Sequence, residues 1–487
     1  MSIPKQFTIG GALIGLVIVA IVGYVLLQPP GPLLQDVGFS ITTISPNADG
    51  IDDVAVFSYT LSDNAEITLT FENEDGQAYL FRDAAPRAEG NYSVDFSGVV
   101  DGFSLPSDEL AGGTIERRLL PDGHYSWTLR AKTDDGETDS ASGTLSIEGG
   151  DSVLPAINAF DVSSSIFTPN QDGIRDRVTV NVYLDKDSNL DVYLENDAGE
   201  KIFLGERLEG RDPGEEGSHE FDYDGGVDDG FEPPADGDYT LYAVAHDDEG
   251  QRVVRTTQLT IEDGGLPQAE IVAQSTGAQV CFSVLPWDDR YYTTAELEGD
   301  LINQPDSNCS NRTRLTLQRG DLLVFTLSVW NYGRTPIRTT GPFSGTVYQF
   351  EQLPTSLGFF ESDGSFRVGL YCQSVFIDHP WRWGLGSPDQ LTAQPQFSAI
   401  NRVINQILQI DYDTFYYLMP GERAVVWGAV RMTEIFEEKN PQNCSVSLIH
   451  EGVTVVPFQQ GLGVREIEIM PEANLPLDDD EGFSFGG

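Results

Sequence analysis

Short strands of alternating polarity, an internal duplication and one uninterrupted apolar run predict an all-β chain: tandem immunoglobulin-like β-sandwiches behind a single N-terminal transmembrane helix. At 487 residues there is room for several domains, each large enough to bury its own core. The 50 glycines suit a chain broken by many turns.

The apolar run comes first. Residues 7–27 carry no charge and would span about 31 Å as a helix, close to the thickness of a bilayer core. Lys5 precedes the run and the next basic residue is Arg82, so the positive-inside rule leaves the N-terminus in the cytoplasm and the rest outside. No small-residue cleavage site follows the run, and no lipoprotein cysteine is present. The expectation is an uncleaved single-pass anchor over residues 1–28 and a Pro-rich spacer over 29–36. Everything beyond is then displayed at the cell surface as a structural or interaction protein.

The duplication occupies the next two units, residues 37–149 and 150–264. Ser45-Pro-Asn-Ala-Asp-Gly-Ile-Asp-Asp53 recurs as Thr168-Pro-Asn-Gln-Asp-Gly-Ile-Arg-Asp176, identical at six of nine positions. An alternating strand follows each copy, at Val54–Leu61 and Val178–Leu184. Asp-Gly-x-Tyr then opens a later strand in each, at Asp122–Tyr125 and Asp236–Tyr239, and each unit closes on a strand ending at Glu148 or Glu262. The Pro-Asn-x-Asp-Gly and Asp-Gly-x-Tyr motifs together make the repeat resemble the immunoglobulin-like domain of the flagellar hook-capping protein family, which also occurs in tandem on bacterial surface proteins. The resemblance implies a fold and no flagellar role.

Two chemistries fit the repeated turn. Asn47, Asp49 and Asp53, and their counterparts Asn170, Asp172 and Asp176, space oxygen ligands around a glycine turn as a Ca²⁺ site does. The same residues also make an Asx turn, in which the last aspartate bonds backbone amides at the entry to the strand.

Composition shifts after Pro267. Five of the six tryptophans and all four cysteines fall in the third unit, residues 267–471. In an exported chain Cys281, Cys309, Cys372 and Cys444 make two disulfides, with three connectivities open; Cys281–Cys309 with Cys372–Cys444 is the favoured one. The pattern from Gly320 to Gly333, with Leu418–Glu422, resembles the adhesion-type sandwich domains of prokaryotic surface proteins. Residues 397–410 place apolar side chains on one helical face. Pro380-Trp-Arg-Trp-Gly384 offers a glycan platform, Trp381 and Trp383 stacking on sugar rings; core packing is the competing role for these tryptophans. A carbohydrate-binding adhesin acting through this unit is therefore the alternative function.

Charge removes other classes. Acidic residues number 77 against 28 basic, and a formal charge of -49 repels nucleic acid. No metalloprotease, P-loop or dinucleotide motif is present, and Gly482-Phe-Ser-Phe-Gly486 lies in an acidic tail, residues 472–487, where no nucleophile elbow can form. No enzymatic activity and no certain cofactor are expected. An envelope protein or a glycan is the expected partner.

Overall fold

The computed structural model describes Val17 and residues 31–106, 108, 112–208, 210–293, 299–306, 313–395 and 414–471. The described chain is built of strands, with short 3-10 turns between some of them. Among the described residues no helix is long and apolar enough to cross a membrane. The membrane anchor over 7–27 is corrected on this finding: apart from Val17 it lies outside the described residues, and neither single-pass topology, a membrane partner nor display at the cell surface is carried further. The amphipathic stretch 397–410 and the acidic tail also lie outside the described residues.

The alternating runs become strands because one face of each meets a core. Ala55–Leu61 turns Ala55, Phe57, Tyr59 and Leu61 inward, and Val178–Leu184 does the same with Val178, Val180, Val182 and Leu184. In the first unit Ala55–Leu61 lies between Leu34–Phe39 and Gly90–Phe96. A five-stranded sheet faces it, ordered Thr43–Ile44, Thr138–Ile147, Gly123–Lys132, Ala65–Asn73, Ala78–Arg87. The core between them holds Phe57, Phe71, Phe96 and Trp127.

The second unit repeats this plan. Ile157–Val162, Val178–Leu184 and Gly217–Tyr223 form one sheet, and Lys201–Phe203, Asn189–Glu195, Gly237–His246 and Arg252–Ile261 the other. In both units the Asp-Gly-x-Tyr tyrosine ties its strand to the preceding chain: Tyr125 Oη donates to the Pro121 carbonyl at 2.6 Å, Tyr239 Oη to that of Ala235 at 2.8 Å.

The two repeats share a sheet. Val99–Asp101 and Thr114–Leu119, a hairpin of the first unit, extend the second unit's sheet by pairing Thr114–Leu119 with Arg252–Ile261. Gln251, wholly buried, seals the junction; its Oε1 accepts from Leu119 N, and its Nε2 donates to the Asp151 and Val153 carbonyls. Beside it Lys186 Nζ reaches Asp151, Asp247 and Glu249, each at about 3 Å.

The third unit stacks a six-stranded sheet on a nine-stranded one. Leu322–Asn331 is nearly all buried because both its faces are covered. Leu323, Phe325, Leu327 and Val329 enter the main core, while Leu322 and Val324 pack outward against Trp427 and Ile302. In the other sheet Phe366–Cys372 lies between Gln442–His450 and Ile337–Thr339, and Trp381–Gly384 also pairs with it.

Candidate functional site

The repeated turn folds alike in both copies. Asp53 accepts Asn47 N at 3.0 Å and Gly50 N at 2.6 Å, Asn47 Oδ1 accepts Asp49 N, and Asp49 Oδ1 accepts Ile51 N. Asp176, Asn170 and Asp172 make the same set with Asn170 N, Gly173 N, Asp172 N and Ile174 N. The carboxylate oxygens proposed for Ca²⁺ thus take backbone amides. Among the described residues no three His, Cys, Asp or Glu side chains converge as a metal site would require.

Surroundings separate the two turns. The first is open to solvent around Asp49 and Ile51. The second is pressed into the third unit: His450 Nε2 donates to the Gln171 carbonyl at 2.8 Å, and Tyr417 Oη to Asp172 Oδ2 at 3.3 Å. Only glycine fits where the backbones meet. A Cβ on Gly173 would lie 2.3 Å from the Asp363 carbonyl oxygen, and one on Gly364 2.2 Å from the Asp172 carbonyl carbon. Burial and the neighbouring Asp176 push the Asp172 carboxyl up to about 7, opposed by Ile174 N, Arg338 and Tyr417. Burial brings His450 down to about 4, so its ring is neutral and Nε2 carries the proton. A small cavity of about 170 Å³ beside this joint is walled by Asp172, Asp263 and Tyr417.

The glycan platform is corrected. Trp381 and Trp383 are both fully buried. Trp383 sits over Gly428 between Phe325 and Tyr348 and donates from Nε1 to the Thr346 carbonyl at 3.0 Å. Trp381 packs edge-on to Phe350. Alternation along Trp381–Gly384 sends both indoles to the core face and Arg382 to the other. The arginine therefore faces outward, and the site is built around it.

Glu451, fully buried, is the centre of that site. Its Oε1 accepts from Arg367 Nη1 at 2.9 Å and Arg382 Nη1 at 3.1 Å, and its Oε2 from Ser362 N at 3.0 Å. Arg367 is as deeply buried and donates again to the Phe360 carbonyl. Burial draws the Arg367 guanidinium below its ordinary pKa, with Glu451 opposing. Arg382 also reaches Glu361 Oε1 at 3.2 Å, and its Nε donates to the His379 carbonyl. Cys372 and Cys444 close a disulfide across the two strands that carry Arg367 and lead into Glu451. Cys281 is disulfide-bonded as well, and Cys309 lies outside the described residues.

Over this network opens a cavity of about 250 Å³. Pro354, Phe359, Ile377 and Pro380 give it apolar walls; Glu361, Asp378, His379 and Arg382 supply the polar ones. Phe360, Phe376 and Ile377 are exposed beside or within it. His379 holds a left-handed backbone, φ +46°, and its neutral ring places Nε2 2.8 Å from Ser447 Oγ. The trio Asp378, His379 and Ser447 has the composition of a hydrolytic triad without its working parts. Ser447 is buried in a strand with its oxygen accepting Gly461 N, and His379 Nδ1 lies near Asp378 without hydrogen-bond alignment. Of the cavity's polar residues the motif at 380–384 contains only Arg382. Glu451 and Glu361 come from segments with no local pattern.

No family model matches the chain, and no curated protein matches it; the hook-capping resemblance, which rested on two short motifs, is corrected accordingly. Among solved structures, native E. coli alpha-2-macroglobulin aligns with 91% of this chain at 11% identity and TM-score 0.17; the chain spans only 23% of its length. A Ca²⁺-stabilized adhesin with which an Antarctic bacterium binds ice aligns over 87% of this chain and 83% of its own, at 13% identity and TM-score 0.20. A Bacteroides ovatus glucan-utilization protein, SGBP-B, solved with a mixed-linkage heptasaccharide, aligns over 91% and 70%, at 12% identity and TM-score 0.14. TM-scores this low carry no argument about this chain.

Proposed function

We propose that this chain is a carbohydrate-binding protein of an oxidising compartment, and that its sugar site is the cavity beside Arg382 in the third unit. The observation that carries the reading is a guanidinium held at the edge of an apolar hollow by Glu361 and the buried Glu451. Sugars present apolar C–H faces and hydroxyls together. Phe359, Ile377 and Pro354 suit the first, and Arg382, Glu361 and Asp378 suit the second. A cavity of about 250 Å³ suits a ring or two of a longer glycan, leaving the rest to run over the exposed Phe360 and Phe376. The disulfides favour a compartment outside the reducing cytosol. The role proposed is binding; Ser447, close to His379 beside the cavity, is buried in its strand and offers no nucleophile to a bound glycan.

The test is a glycan array probed with the full chain and with Ile377→Asp, which places a charge in the apolar wall at an exposed position. Native protein binds a subset of glycans and the variant loses them while melting unchanged. Equal binding by both would refute this site.

A further inference from the structure

The charges around the cavity go further than its shape and, resting on the sugar-site reading above, indicate which glycans it takes. We infer that the site selects neutral hexose glycans and excludes those bearing carboxylate or sulfate groups, with Glu361 and Asp378 as the excluding residues.

The positive charge lining the cavity is already spent, and Lys439, whose Nζ lies 4.5 Å from the centre of the Phe376 ring, stands outside that lining. Arg367 is sealed against Glu451, and Arg382 Nη1 is shared between Glu451 at 3.1 Å and Glu361 at 3.2 Å. The charges most open to solvent are both negative: the side chains of Glu361 and Asp378 are 74% and 78% exposed. Two guanidinium groups against three carboxylates leave the cavity one charge negative. A uronic acid that reached Arg382 would bring its carboxylate against Glu361, on a chain whose formal charge is -49. Unit charges a few ångströms apart at a protein surface repel by enough to cost about tenfold or more in affinity. A neutral sugar meets the opposite situation. Its hydroxyls donate to the exposed carboxylates and accept from the guanidinium, and charged partners make the stronger hydrogen bonds.

Two layers of repulsion act on an acidic glycan, the field of the whole chain and the two local carboxylates, and the experiment separates them. The full chain is titrated calorimetrically with the best neutral tetrasaccharide from the array and with tetragalacturonate, at 50 and 500 mM NaCl. At low salt the neutral glycan binds at least about tenfold more tightly, and the gap narrows at high salt as screening grows. In Glu361→Gln/Asp378→Asn, melting unchanged, the gap at low salt narrows at least about fivefold, whatever happens to the neutral affinity itself. Tetragalacturonate binding as tightly as the neutral glycan at low salt overturns the inference. So does a gap that the double variant leaves unchanged, since the selection would then lie in the overall field. A folded chain silent across the whole array overturns the sugar site instead, a result distinct from either.

Discussion

Replacing Glu451 by glutamine changes one oxygen for an amide at the centre of the site. Glu451 is wholly buried and Arg367 beside it is 1% exposed, so the substitution leaves a sealed guanidinium without a counter-charge. Breaking a buried pair from one side costs about 3–5 kcal/mol. For a domain of this size each kcal/mol shifts the melting point by roughly 2–4 °C, so a fall on the order of 6–20 °C is expected for the third unit. Urea denaturation followed by tryptophan fluorescence reads the free-energy loss, since five of the six tryptophans lie there. The double variant Arg367→Met/Glu451→Met replaces the pair by apolar groups of similar bulk and recovers most of the stability. Glycan binding does not recover, because Arg382 has lost its buried partner and keeps only the exposed Glu361 and the His379 carbonyl. A Glu451→Gln midpoint within about 1 kcal/mol of native would refute the buried-charge argument. A stable double variant with native glycan affinity would reduce the network to scaffolding.

Further outcomes follow from the junctions and the core. The raised pKa of Asp172 favours the folded state at low pH and fades as pH rises through about 7, while the lowered pKa of His450 favours it above about 6.5 and is lost as pH falls through about 4. Between those limits the two slopes oppose, so these two contributions nearly cancel from pH 4.5 to 6.5. His450→Gln removes the His450 contribution, so the variant's urea midpoint falls relative to that of the native chain as pH rises from 4.5 to 6.5; a difference that does not change with pH would contradict the assignment. Lys186→Met leaves Asp247 and Glu249 buried together without their cation and costs roughly 3 kcal/mol, read as earlier unfolding of the joined repeats. Trp383→Ala empties the space over Gly428 and costs about 3–5 kcal/mol, whereas Trp381→Phe leaves glycan binding intact because neither indole face is exposed. Chelation of divalent ions leaves the melting of the repeats unchanged within about 1 °C, since backbone amides already occupy the turn carboxylates; a drop of several degrees would restore Ca²⁺ to the turns.

Strand identity was legible from side-chain periodicity because a half-buried strand must alternate, and Ala55–Leu61 and Val178–Leu184 do so cleanly. The duplication and its turns were legible for a similar local reason: the hydrogen bonds of Pro-Asn-x-Asp-Gly close within seven residues. Alternation could not say which face of Trp381–Gly384 is covered. It placed both tryptophans together, and only the opposing sheet made that face the core and left the outer one to Arg382.

By itself, then, the sequence determined an all-β chain with a repeated unit, an acidic surface hostile to nucleic acid, and the local turn chemistry of each repeat. Tertiary structure alone decided what those parts meet. It joined a hairpin of the first repeat to a sheet of the second, buried one of two near-identical turns in the third unit, and brought Glu451 to Arg367 across 84 residues of chain. The physical reason is range. Periodicity and turns are energies of neighbours in sequence, whereas a buried ion network or a shared sheet edge depends on distant segments that carry no mark of one another until the chain has folded.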